Sequence, residues 1–189
     1  MQHTGKPAAP ARQDAGQVSD EYMGDYAGRF IIFLDVDGVL NCSSTKERLG
    51  TYTGIDERML PVLKEITRFF DADIVLVSTW KDTWHEKDKA GQDMFADELD
   101  CRLAAHGLKI VSKTRDHGPD RGAGILAWMK VHGPVSGLLI LDDEWFDYKE
   151  KGLTRYLLKT SYYKAGGGLR QSHVNYLKKR RSQFMVREN

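Results

Sequence analysis

Three pairs of oxygen-bearing side chains stand apart because each follows directly on an apolar run. Asp35 and Asp37 follow Phe30-Ile31-Ile32-Phe33-Leu34, Ser78 and Thr79 follow Ile74-Val75-Leu76-Val77, and Asp142 and Asp143 follow Leu138-Leu139-Ile140-Leu141. Four carboxylates gathered in one place repel one another unless they are protonated or share a cation. Hard oxygen donors with room left for water favour Mg²⁺. A spacing of two sends Asp35 and Asp37 to the same side of an extended chain, where one can attack and the other can move a proton.

The elements that must position these groups are legible in the hydrophobic pattern. Short continuous apolar runs fit strands buried on both faces. Between them, helical spacing predicts helices over about Asp56 to Phe70, Met94 to Ala105, Arg121 to Val131 and Ser172 to Phe184. Further strands are expected near Leu108 to Val111 and Arg155 to Lys159, and a polar loop from about Asn41 to Gly54. Strands alternating with helices predict an α/β fold, a Rossmann-like parallel sheet with helices on both faces. Ligands bind such sheets at the carboxyl ends of the strands, where all three pairs fall.

Taken singly, each pair is better read as a turn or a helix cap. Their joint order, each behind a buried strand, reverses that reading. A calcium loop is excluded because Val39 and Leu40 stand where a polar ligand and a glycine are required. A phosphoreceiver domain is excluded because the middle strand ends in Ser78-Thr79 instead of an aspartate.

The 189 residues suit one domain, and 41% hydrophobic with 29% charged residues excludes wholesale disorder. Basic residues number 28 against 27 acidic, a net +1, so no global field draws the protein to a polyanion or a membrane. Cys42 and Cys101 alone make no disulfide framework. With no apolar run of membrane-spanning length, they point to a cytoplasmic protein with no membrane partner. The first 28 residues lack a hydrophobic period and read as a disordered tail, leaving 29–189 as the folded domain.

The string Phe33-Leu34-Asp35-Val36-Asp37-Gly38-Val39-Leu40-Asn41 resembles the first motif of the haloacid dehalogenase (HAD) superfamily in its phosphotransferase form. Ser78, Arg121 or Lys113, and Asp142-Asp143 resemble its second, third and fourth motifs. Ser78-Thr79-Trp80-Lys81, Arg121-Gly122 opening a helix that contains Trp128, and Leu141-Asp142-Asp143 are further similar to a subgroup associated with RNA-repair polynucleotide phosphatases. Where that subgroup often carries an Arg after the Trp, this chain has Lys81, which cannot make the same bidentate phosphate contact.

The resemblance implies a Mg²⁺-dependent phosphomonoesterase. Asp35 would be the nucleophile and Asp37 the general acid and base. Gly38, Asn41, Thr79, Trp80 and Lys81 would lie along the substrate. Ser78 would bind phosphoryl oxygens, and Arg121, with Lys113 as second choice, would supply the fixed cation. Asp35, the backbone carbonyl of Asp37, Asp143 and Asp142 would hold the metal, with Asp147 on a metal-bound water.

Family members close over small substrates with inserted cap domains. The loop after Asn41 and the segment before Arg121 are too short for one, so a capless or minimally capped, open site is expected. That suits a phosphorylated RNA or DNA end, with Tyr52, Trp80 and Trp84 as candidate stacking faces. The basic run Lys178 to Arg181, with Arg187, could steer a polyanion, or be a solvated helix end. A nucleotide or metabolite phosphatase and an inactive phosphate-binding module are the alternatives. The oligomeric state is not legible.

Overall fold

The computed structural model describes residues 26–116 and 118–186. The expected tail lies outside the described residues except for 26–28, which form a turn, with the Tyr26 ring packed 5.2 Å from Trp128. Every residue of β1 (Phe30–Leu34) is buried. Its side chains alternate between the faces of the sheet, as strand geometry requires. Phe30, Ile32 and Leu34 join the core beneath α1 (Leu60–Phe70), α2 (Met94–Ala105) and α4 (Gln171–Lys179), whereas Ile31 and Phe33 join the core beneath α3 (Arg121–His132).

β1 is the central strand of a five-stranded parallel sheet with β4 (Ala72–Leu76), β5 (Ile110–Lys113), β6 (Gly137–Asp142) and β7 (Leu157–Lys159), in the order β5-β4-β1-β6-β7. Helices cover both faces, as the alternating pattern predicts. The strand order reverses at β1, which opens a crevice beyond its carboxyl end. Leu34 is in register with Leu76 of β4 and Leu141 of β6, so the residues following all three strands emerge side by side.

Local chemistry sets the helix ends. Pro61 occupies the first turn of α1, where its missing N–H costs nothing. Asp93 caps α2 by accepting from Phe95 N and Ala96 N. The helix expected from Ser172 to Phe184 is divided, with α4 ending at Lys179 and a 3₁₀ turn spanning Arg181–Phe184. The loop expected after Asn41 contains a small antiparallel hairpin, β2 (Arg48–Leu49) and β3 (Tyr52–Thr53). Two-residue strands gave no usable alternation in the sequence. No helix among the described residues is long and apolar enough to cross a membrane.

Candidate active site

The parallel register of β4, β1 and β6 delivers Ser78, Asp35 and Asp142-Asp143 to one crevice. The Asp35 main-chain N–H bonds to Leu141 O at 2.9 Å, and Val77 N bonds to Leu34 O at 2.9 Å, so strand pairing extends to the catalytic candidates themselves. Asp35, Asp142 and Asp143 each offer a carboxylate oxygen within 4.8 Å of the others. Asp35 receives hydrogen bonds from the fully buried Ser78 hydroxyl and from Val36 N–H. Its Oδ1, although buried, accepts no hydrogen bond.

Arg121 enters from the first turn of α3. Its Nη1 lies 3.1 Å from Asp35 Oδ1 and 2.7 Å from Asp142 Oδ2, and its guanidinium stacks 4.1 Å above the Phe146 ring. Lys113 does not share this position. Its Nζ donates to the carbonyls of Lys81 (2.7 Å) and Trp84 (2.5 Å). β5 lies at the edge of the sheet, beyond β4, so a side chain from its end has farther to reach to β1. Of the two candidates for the fixed cation, the fold brings only Arg121 into contact with Asp35.

Burial and the nearby Asp142 charge push Asp35 up to about 7, against the pull of Arg121. Burial and the charges of Asp142 and Glu144 likewise raise Asp143. Burial opposes the charge on Arg121, but Asp35 and Asp142 outweigh it and raise its pKa. Three ionised carboxylates against one guanidinium leave two negative charges, the deficit one divalent cation cancels. Asp35 Oδ1, which faces Arg121 but accepts no aligned hydrogen bond, and the all-oxygen donor set fit Mg²⁺. Gly38, at φ +75°, turns the chain so close to Asp143 that a Cβ there would lie 2.3 Å from Asp143 Cγ.

Asp37 stands beside this cluster with its own supports. Asn41 Nδ2 donates to its Oδ1 at 2.8 Å, and Trp80 Nε1 donates to its Oδ2 at 3.0 Å. Asn41 is fully buried and also accepts from Gly38 N, so it braces the loop and does not face a substrate. Lys81 is buried, with Nζ donating to Val77 O (3.2 Å) and Asp116 (3.0 Å). Those partners set it in the body of the domain. Thr79 is exposed at the start of a 3₁₀ turn over Thr79–Lys81.

Two expected roles take a different form. Asp147 accepts from Gly122 N and Ala123 N through its two oxygens, capping α3 and thereby fixing the start of the helix that carries Arg121. Asp142 has both oxygens bonded, Oδ2 to Arg121 and the Tyr148 hydroxyl and Oδ1 to Glu144 N, which makes it an anchor for its neighbours. Tyr148 was not legible as part of the site, and for Trp80, expected along the substrate, the bond from its indole to Asp37 was not. An aromatic ring near a motif is more often core, and only tertiary packing aims its polar atom.

Asp37 and Asp143 lie on an open crevice of about 530 Å³ walled by Tyr52, Trp80, Phe95, Tyr162 and Tyr163. Trp84 is not a stacking face, being buried with its Nε1 on Asp100. The basic run at the end of α4 belongs to the opposite end of the sheet. Met185, just beyond it, bridges Gly137 at the start of β6, and Lys178 pairs with Glu65. Arg187 lies outside the described residues.

No curated protein matches the chain. The family described as the HAD domain in Swiss Army Knife RNA repair proteins matches residues 31–174, which runs from the second residue of β1 through every motif residue to the first turn of α4. The chain belongs to this HAD family, and its fold and acidic cluster are those of a phosphatase-type hydrolase.

Proposed function

We propose that the protein is a Mg²⁺-dependent phosphomonoesterase that acts through an aspartyl-phosphate on Asp35, with a phosphorylated nucleic-acid end as its substrate. The observation that carries this reading is Asp35 itself: buried at the switch point of the sheet, bonded by Ser78, beside Arg121, and with Oδ1 bare of hydrogen bonds. Asp35, Asp143 and the carbonyl of Asp37 would hold Mg²⁺, and Asp142 would orient Asp143's neighbours. When bound, the metal would neutralise the carboxylates and the phosphoryl charge.

The chain's own groups do the rest. Asp35 attacks phosphorus as the bond to the leaving oxygen breaks, and Asp37 gives that oxygen a proton. Asp37 then takes a proton from the water that attacks the acyl-phosphate, which returns Asp35 as a carboxylate and releases phosphate. The donors on Asp37 leave each of its oxygens a further lone pair, where the travelling proton can reside. Arg121 offsets the charge on Asp35 before the substrate binds, and the Ser78 hydroxyl lies where it can turn to a phosphoryl oxygen. The open crevice favours a polymer end over a metabolite that must be enclosed.

The test is phosphate release with Mg²⁺ and with EDTA, from 3′- and 5′-phosphorylated oligonucleotides beside mononucleotides and sugar phosphates. Metal-dependent release from oligonucleotide ends, lost in Asp35→Asn, is the expected result. Release confined to small molecules would overturn the substrate class, and no release from any substrate would overturn the activity.

A further inference from the structure

Each wall of the crevice is a chain of aromatic rings that starts at an acidic residue of the site and ends at an exposed tyrosine. On one wall Trp80 donates to Asp37, Phe95 packs edge-on to Trp80 with centroids 5.1 Å apart, and Tyr52 packs edge-on to Phe95 at 5.2 Å. On the other, Tyr162 N donates to Asp143 Oδ2 at 3.2 Å, and the Tyr163 ring packs edge-on to Tyr162 at 4.9 Å. Tyr52 is 58% exposed and Tyr163 is 85% exposed, although both border the same cavity.

These tyrosines are displayed on braced backbone. The Tyr162 hydroxyl bonds to Thr53 Oγ1 at 2.9 Å and so joins the two walls. Gly168 N bonds to Ser161 O and closes the loop that carries Tyr163, while Ser43 N bonds to Tyr162 O and Leu169 N to Val39 O, fastening it onto the loop after Asp37. A ring left in water costs apolar hydration that burial would have relieved. Two such rings at the mouth of an acidic, metal-suited pocket match a ligand with a phosphate at one end and a flat, uncharged π face at the other.

From this arrangement, and resting on the phosphatase reading above, we infer that Tyr52 and Tyr163 are a stacking site for an unpaired nucleobase at the phosphorylated end, so that the substrate is a single-stranded terminus. Stacking tolerates any base, because every base presents a π face. A base paired in a duplex offers its face only at a blunt end and keeps its other neighbour stacked. The preference for single strands therefore follows from geometry and not from sequence readout.

The experiment compares kcat/KM for three substrates with the same phosphate: a single-stranded phosphorylated oligonucleotide, the same strand with an abasic terminal nucleotide, and the same strand annealed into a duplex whose longer complement leaves the phosphorylated end recessed. Wild-type protein is expected to favour the first over the second by on the order of 10- to 100-fold, mainly through KM, as one or two base–aromatic stacks would give. In Tyr163→Ala, and in Tyr52→Leu, which retains apolar packing on Phe95, that ratio should fall toward one. Thermal melting of each variant checks the fold, and the nearly solvated Tyr163 makes its substitution the safer of the two. Equal turnover of base-bearing and abasic strands by the wild type, or an unchanged ratio in both variants, would overturn the stacking site while leaving the phosphatase reading intact. Preference for the duplex would overturn it too. No release from any strand, with release from glycerol phosphate, would instead overturn the nucleic-acid substrate on which the inference rests.

Discussion

The indole N–H of Trp80 donates to Asp37 Oδ2 across 3.0 Å, linking residues 43 positions apart in the chain. Trp80 sits in the 3₁₀ turn that follows β4, and Asp37 in the loop that follows β1. The bond therefore exists only because β4 and β1 are parallel neighbours. It fixes the carboxyl group that the proposed mechanism asks to give and take a proton. In Trp80→Phe the ring remains in the core but the donor is lost. Turnover of a phosphorylated oligonucleotide should fall about 10-fold, the equivalent of one hydrogen bond to a charged group, with the fall in kcat exceeding the change in KM. Steady-state kinetics with unchanged kcat would refute a positioning role for Trp80.

Arg121 and Lys113 separate cleanly. Arg121→Lys keeps a charge beside Asp35 and Asp142 but loses the planar fork and the stacking on Phe146. Its turnover should drop by at least about 100-fold, in the range seen when a charge-stabilising donor is removed from an active site. Lys113→Met removes an ammonium held by two backbone carbonyls, and its main effect should be on stability, about 1 to 3 kcal/mol by denaturant unfolding. Comparable loss of turnover in the two variants would contradict the assignment of Arg121 as the fixed cation.

Gly38 tests the metal pocket without replacing a ligand. A methyl group there meets Asp143 Cγ at 2.3 Å and must also adopt φ +75°. Gly38→Ala should therefore push Asp143 aside and weaken Mg²⁺ binding. Titration calorimetry would register this as a fall of about 10-fold or more in affinity, since one misplaced ligand costs that much in a metal site. Wild-type affinity in this variant would show that Asp143 does not hold the ion.

The acidic cluster carries a pH signature in metal-free protein. The Asp35 carboxyl is raised in the folded state to about 7, above its unfolded value of 3.8. Between those values the folded state binds more protons, so the stability associated with this group is full below about 4 and is lost as pH rises through about 7. Asp35→Asn removes the penalty. In EDTA at pH 8 it should melt several degrees above wild type, since about 1 kcal/mol moves a domain of this size by a few degrees. At pH 4 the two should melt together, and saturating Mg²⁺ should narrow the pH 8 gap by stabilising the wild type. Identical melting at pH 8 in EDTA would show that Asp35 is not under strain from its neighbours.

The sequence by itself determined the layers and the place of the site. Continuous apolar runs at Phe30–Leu34 and Leu138–Leu141 can be buried only on both faces, which requires a helix-covered parallel sheet, and side chains directly behind such strands can only emerge at its carboxyl edge. Asp35, Ser78 and Asp142-Asp143 were legible for that reason. Arg121 was legible as a candidate, but its choice over Lys113 depends on the first turn of α3 meeting Asp35 while β5 lies at the sheet edge beyond β4, and that placement is not written in local hydrophobicity.

Tertiary structure alone decided which polar atoms face which. Asn41 and Lys81 look like substrate contacts in the chain, yet one braces Asp37 and the other pairs with Asp116 in the interior. Asp147 looks like a residue that holds a metal-bound water and is a helix cap. Tyr148, Tyr162 and Tyr163 gave no signal, because an aromatic residue has the same apolar character whether its hydroxyl bonds a buried carboxylate or its face lies open to water. Periodicity reports which side of an element is apolar. Hydrogen-bond partners are set by where the elements meet, after the strands have taken their order.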